Sequence, residues 1–140
     1  MAIPTLQDVI EEIQEAVGKI TGVRVAPDYA PEQVTVWPAI ITYPSSGTAT
    51  TGEFGIAETR HTVICEVHVA RKNLQRDLAT LIPFIETVIT AITDDPWLDN
   101  NCEAFDSISY ELGPMKYADT DTLGIRFSVN NILMFPYGKK

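Results

Sequence analysis

Apolar residues recur at every second position in residues 59–70, 105–112 and 122–134, and at every third or fourth position in two other stretches. Only a chain that mixes strands and helices accommodates both periods. In the first segment Val63, Cys65, Val67 and Val69 share one face while Thr62, Glu66 and His68 take the other. That alternation predicts a strand with one buried and one partly exposed side. Ile108, Tyr110 and Leu112 align in the second segment, and Leu123, Ile125, Phe127, Val129 and Leu133 in the third. Gly113-Pro114 and a turn at 119–121 are expected to separate these two strands.

The helical period appears first in Leu6, Val9, Ile10, Ile13, Ala16, Val17 and Ile20. Thr5 can cap this helix, with Asp8 three residues on, and Gly18 and Gly22 mark its end. A second helical stripe runs through Leu74, Leu78, Leu81, Ile82, Ile85, Val88, Ile89 and Ile92, opened by Asn73 and closed at Asp94-Asp95-Pro96. Pro83 interrupts it, which predicts either a kink or a start near Thr80 with Pro83 in the first turn. Pro27, Pro31 and Pro38 break residues 23–39 into short extended pieces and turns. A short apolar strand at 39–43 is expected to end at Pro44-Ser45-Ser46-Gly47. The glycine, serine and threonine of residues 45–58 favour a mobile loop or a long flexible hairpin tip.

Helix, strands, helix, strands, with short connections late in the chain, predicts an α+β fold: a mainly antiparallel sheet with two principal helices packed on one face. At 140 residues the chain is sized for one domain spanning 1–140. Its net charge of −9 disfavours tight binding to nucleic acid or anionic lipid. Acidic residues crowd the region from Asp94 to Asp121, where Lys116 is the only base. The longest uncharged stretch, 34–52, holds Pro38 and Pro44, so no membrane span is expected. The N-terminus lacks a basic region followed by an apolar run, which predicts synthesis and work in the cytoplasm.

Residues suited to catalysis form no recognised constellation. His61 and His68 lie an odd number of residues apart on one predicted strand, leave opposite faces and cannot grip one metal ion. Cys65 and Cys102 lack metal-ligand spacing and read as small buried thiols. No serine sits in G-x-S-x-G, and no glycine cluster forms a phosphate loop. Asp94, Asp95 and Asp99 lack the spacing of a calcium loop, and helix termination accounts for them. No catalytic, cofactor or metal residue is therefore assigned. Trp37, Trp97, Phe54 and Tyr137 are candidate interface anchors.

A resemblance to a known family rests on several segments: the opening helix, Pro38-Ala39-Ile40-Ile41-Thr42-Tyr43-Pro44, and Glu66-Val67-His68-Val69-Ala70-Arg71-Lys72-Asn73-Leu74. It continues in Leu81-Ile82-Pro83-Phe84-Ile85-Glu86, Asp95-Pro96-Trp97-Leu98, and Tyr117 followed by Leu123-Gly124-Ile125-Arg126-Phe127. This succession resembles the tail terminator family of long-tailed bacteriophages, also described as tail-completion or tail-to-head joining proteins. The resemblance implies a non-enzymatic virion protein that assembles as a homo-hexameric ring at the head-proximal end of the tail. Such a ring caps the tail tube protein, stops its growth and offers a surface to a head-completion or connector protein. DNA passes through it without tight binding, and carboxylates such as Asp119 and Asp121 would keep phosphate from adhering. On this reading the interface candidates are Ser46, Gly47, Glu53, Phe54, Arg60, Asp119, Asp121 and Tyr137. The alternatives are another neck or minor tail subunit, a small metal-dependent hydrolase or a ligand-sensing module.

Overall fold

The computed structural model describes residues 3–27, 36–53, 55–95, 97–99 and 101–135. Its elements follow in the order α1 (Leu6–Gly18), β1 (Ala39–Gly52), β2 (Gly55–Ala70), α2 (Leu74–Thr93), β3 (Ser107–Tyr117) and β4 (Thr120–Met134). The strands form one antiparallel sheet in the order β1-β2-β4-β3. Both helices pack against the same face of it, as α+β patterning predicted. The core between the layers joins Val9, Ile13 and Val17 of α1 and Leu81, Val88 and Ile92 of α2 to Val63, Cys65 and Val67 of β2 and Ile125, Phe127 and Val129 of β4.

α1 begins as its sequence demands. The Thr5 hydroxyl accepts the Asp8 backbone N–H at 3.2 Å, and the Asp8 carboxylate accepts that of Thr5 at 2.7 Å. This reciprocal cap is worth about 1 kcal/mol. α2 begins at Leu74 behind an Asn73 cap and runs through Pro83, so the alternative start near Thr80 is overturned. Buried Leu81 before the proline and Phe84, Val88 and Ile92 after it supply the compensation. Pro83 and Ala79, whose carbonyl loses its usual donor, both lie on the solvent side, where water can take that carbonyl. Two residues of the expected apolar stripe, Leu74 and Ile82, are instead 61% and 54% exposed.

Several strand boundaries differ from expectation. β1 does not stop at Pro44: it continues to Gly52 and pairs with β2 along its length, so residues 45–58 form the hairpin alternative. Pro44 is tolerated because β1 is an edge strand. Ile40 donates outward to Val25, and alternation turns position 44 outward as well, so the missing N–H removes no ladder bond. Ser45 is the extra residue of a bulge opposite the Val63 to Thr62 step. Gly113-Pro114 likewise lies inside β3, the other edge strand, and only the turn at 118–119 separates β3 from β4. In β4 a bulge places Asn131 at φ 55, which shifts the alternation by one residue. Ile132 and Met134 therefore enter the core, in place of the expected Leu133. Of the 23–39 stretch, residues 28–35 lie outside the described residues, while Val25 makes a single parallel bridge to Ala39.

Gln14, 1% exposed, ties α1 to the sheet edge. Its amide donates to the Ile40 carbonyl at 3.0 Å and the Pro27 carbonyl at 2.7 Å, and its oxygen accepts the Thr42 hydroxyl. With Val25 it thus satisfies both outward backbone groups of Ile40. Gln14→Leu keeps the apolar bulk but orphans these partners, and is expected to cost about 2–4 kcal/mol. Urea unfolding at constant m-value measures this.

Candidate functional site

The sheet face away from the helices carries no described helix, yet Ile41, Ile64, Glu66, His68 and Thr122 on it are buried. The strands' own side chains close it. Glu66 of β2 stands opposite Arg126 of β4 and diagonal to Tyr43 of β1. One carboxylate oxygen accepts from Tyr43 Oη at 2.6 Å and Arg126 Nε at 2.9 Å, and the other from His68 Nε2 at 2.9 Å. Burial pushes the Glu66 carboxyl up, and the bonds from His68, Tyr43 and Arg126 outweigh it, holding the group at about 2. An ionised Glu66 only accepts, which puts a proton on His68 Nε2. His68 Nδ1 lies 2.7 Å from the Thr122 hydroxyl, and the Tyr117 ring meets the imidazole edge to face at 5.6 Å.

The surrounding groups respond to the same carboxylate. Burial, then the bond to Glu66, pushes the Tyr43 phenol up to about 12, and Glu66 raises the Arg126 guanidinium above its ordinary value. Met115 crosses the sheet over Gly124, where an added Cβ would sit 2.6 Å from its sulfur and 2.7 Å from the Val67 carbonyl. Glu66 and His68 were expected on a partly exposed side, and this is corrected: His68 is 1% exposed. Their correct pattern signal was present, but which polar partners would cover them depended on pairing β2 with both β1 and β4. Its buried polar side-chain atoms are all partnered among the described residues, so the network holds β1, β2 and β4 in fixed register.

The predicted interface residues fall into two groups. Ser46, Gly47, Glu53 and Arg60 lie together on the β1–β2 hairpin, where Gly47 stands opposite His61. A Cβ at Gly47 would come within 2.9 Å of the Arg60 carbonyl, so glycine is required there by close approach. Asp119 and Asp121 lie at the β3–β4 turn, both exposed, with Asp121 3.9 Å from Lys116. Since Arg60 pairs with Leu133 and Ala70 with Thr122, the two groups sit at opposite ends of β2 and β4, about 33 Å apart. Phe54 and Tyr137 lie outside the described residues.

Strand pairing beyond Thr59 shows what kind of feature the hairpin is. Among the described residues β4 pairs with β2 only from Thr59 onward, so 50–53 and 55–58 form a two-stranded arm beyond the three-stranded part of the sheet, almost wholly exposed. His61 and His68, seven residues apart on β2, are separated by about 23 Å, which rules out a joint site regardless of which face each takes. Burial lowers the His61 imidazole and raises the Cys65 and Cys102 thiols, to about 12 and about 11. Asp94 caps α2, and the Asp95 carboxylate accepts the backbone N–H groups of Trp97 and Asp99. Among the described residues no group of three or more His, Cys, Asp or Glu side chains is placed to hold a metal ion. No described helix is long and apolar enough to cross a membrane.

No protein-family model and no curated protein sequence matches the chain. Glu66 gives the cluster a measurable signature. Its folded value lies below the ordinary 4.5, so its contribution is present above pH 4.5 and lost as pH falls towards 2. That contribution is expected to be on the order of 2–3 kcal/mol. In urea titrations Glu66→Gln should be less stable than the parent at pH 7 and should lack this part of the loss between pH 4.5 and 2.

Proposed function

We propose that this chain is a structural virion protein, a tail-terminator-like subunit that forms a ring on the tail tube of a long-tailed phage. The ring stops tube growth and gives the head connector its docking surface. The observation that carries this reading is the arm at residues 50–58: a two-stranded extension that, among the described residues, has no third strand and no apolar layer beneath it. An isolated hairpin is marginal in water, so an arm of this kind acquires its stability from a neighbour. The open sheet adds two edges, β1 beyond its Gln14 clamp and β3, of the sort that closed assemblies cover. The family resemblance supplies the hexameric count, the tube and the connector as partners.

Neck and minor tail subunits use the same kind of surface, and binding to tube ends distinguishes them. The Ala49 and Thr59 pair is the place to shorten the arm, because every β2–β4 pair then survives. Replacing residues 50–58 by Asn-Gly supplies the preferred two-residue turn at that point. The shortened protein should keep its circular dichroism and its unfolding midpoint but form no rings by mass measurement and negative-stain imaging. It should also leave tail tubes uncapped. Rings and capping indistinguishable from the parent would refute the role given to the arm.

A further inference from the structure

Charge is segregated along α2, at whose N-terminal end Arg24, Lys72 and Arg76 line an open groove of about 430 Å³. Trp37, Pro38 and Val69 give it apolar surface, and Asp77 lines it beside the cations. All three cations are exposed, and none makes an ion pair with a described residue. Some 30 Å away, at the C-terminal end of the 20-residue helix, Asp94 is the C-cap, and Asp95 and Asp99 lie close enough to act on Glu12 of α1. In their midst Trp97 is 56% exposed, its backbone N–H held by Asp95.

Both placements oppose the helix macrodipole, which favours carboxylates at the N-terminus and cations at the C-terminus. Folding of the single chain uses the Asp95 carboxylate, which accepts two backbone N–H groups, and the Asp77 carboxylate in the first turn of α2, but among the described residues the side chains of Lys72, Arg76 and Asp99 have no such partner. Burial first, then Glu15, Asp99 and Asp95, raises the Glu12 carboxyl, and Lys19 lowers it, so the carboxylates of this corner repel one another even with one cation nearby.

We infer that the groove at the start of α2 receives the Trp97 corner of a second copy of this chain, in a head-to-tail contact. The indole packs against Trp37, Pro38 and Val69, and the flanking carboxylates meet Arg24, Lys72 and Arg76. An aromatic anchor among complementary charges is the composition of an interface hot spot, and guanidinium groups over an indole add cation–π attraction. Because groove and corner lie at opposite ends of the molecule, the contact is heterologous: it closes into a ring or continues as a filament. The inference rests on the self-assembly part of the proposed function and names the contact that performs it.

Two charge-reversed proteins test it by sedimentation velocity, with imaging of the products. One carries Arg24→Glu, Lys72→Glu and Arg76→Glu, and the other Asp94→Lys and Asp99→Lys. Each alone should lose self-association by more than tenfold, and an equimolar mixture should recover it, since every groove then faces an opposite corner. Trp97→Ala should weaken association at least tenfold with unchanged circular dichroism, and rising salt should weaken the parent. Rings that persist in both reversed proteins would overturn this contact and leave the ring reading standing. Open filaments from the parent would uphold the contact and overturn the ring. A parent that stays monomeric, or binds polyglutamate through the groove without associating, would assign the groove to a different acidic partner and overturn the inference.

Discussion

Among the described residues helices cover one face of this sheet alone, and the rest of the structure answers to that asymmetry. On the covered face the usual solution applies, with Val, Ile, Leu and Phe side chains from both layers removed from water together. On the other, β2 and β4 must be shielded by side chains of their own sheet. An apolar layer there would expose a sticky patch, whereas Tyr43, Arg126 and Tyr117 present a wet outer side and a dry inner one. Glu66 makes this possible, because a carboxylate can accept from three donors at once and so orient Tyr43, Arg126 and His68 together. Such a network fixes geometry more than it adds net stability, since each charge loses hydration when the cluster closes.

A face closed in this way stays thin. Among the described residues no second layer reaches most of the two sheet edges or the arm at residues 50–58. Among the described residues only the start of β1 is covered, by Val25 and Gln14.

The elements legible in the sequence were those whose signal is local. Thr5 with Asp8, the α1 stripe and the alternation from Val63 to Val69 each declare themselves within a few residues. What escaped depended on position in the sheet. Pro44 and Gly113-Pro114 look like strand ends, yet on edge strands they cost little. Leu133 looks like a core residue until the bulge at Asn131 reverses the phase. Leu74 and Ile82 match the helical period but sit at the margins of the stripe, where α2 turns from the sheet towards solvent. Gln14 occupies a core position that periodicity would assign to an apolar side chain, and only the carbonyls beneath it explain the amide. Of the interface candidates, Ser46, Gly47 and Glu53 share the segment 45–58 marked by composition, and Arg60 joins their hairpin through its pairing with Thr48. Their distance from Asp119 and Asp121 was not legible in the sequence, since it follows from strand register alone.

The charges at the two ends of α2 bring these strands of argument together. Each unfavourable placement against the macrodipole costs a few tenths of a kcal/mol to about 1 kcal/mol, small beside the core but repeated at both ends of one helix. A helix selected only for the stability of its own chain would carry the reverse pattern, and Asp77, the one carboxylate of the first turn, is buried, accepting the Lys72 and Asn73 backbone N–H groups. In a head-to-tail array the same charges change sign in their effect: the acidic end of one helix faces the basic end of the next, so what opposes folding favours docking. Long-range attraction of this kind orients partners before short-range contacts form. In the proposed array the Trp97 indole, set against Trp37, Pro38 and Val69, would supply the contact that charge alone, weakened by salt, would not sustain.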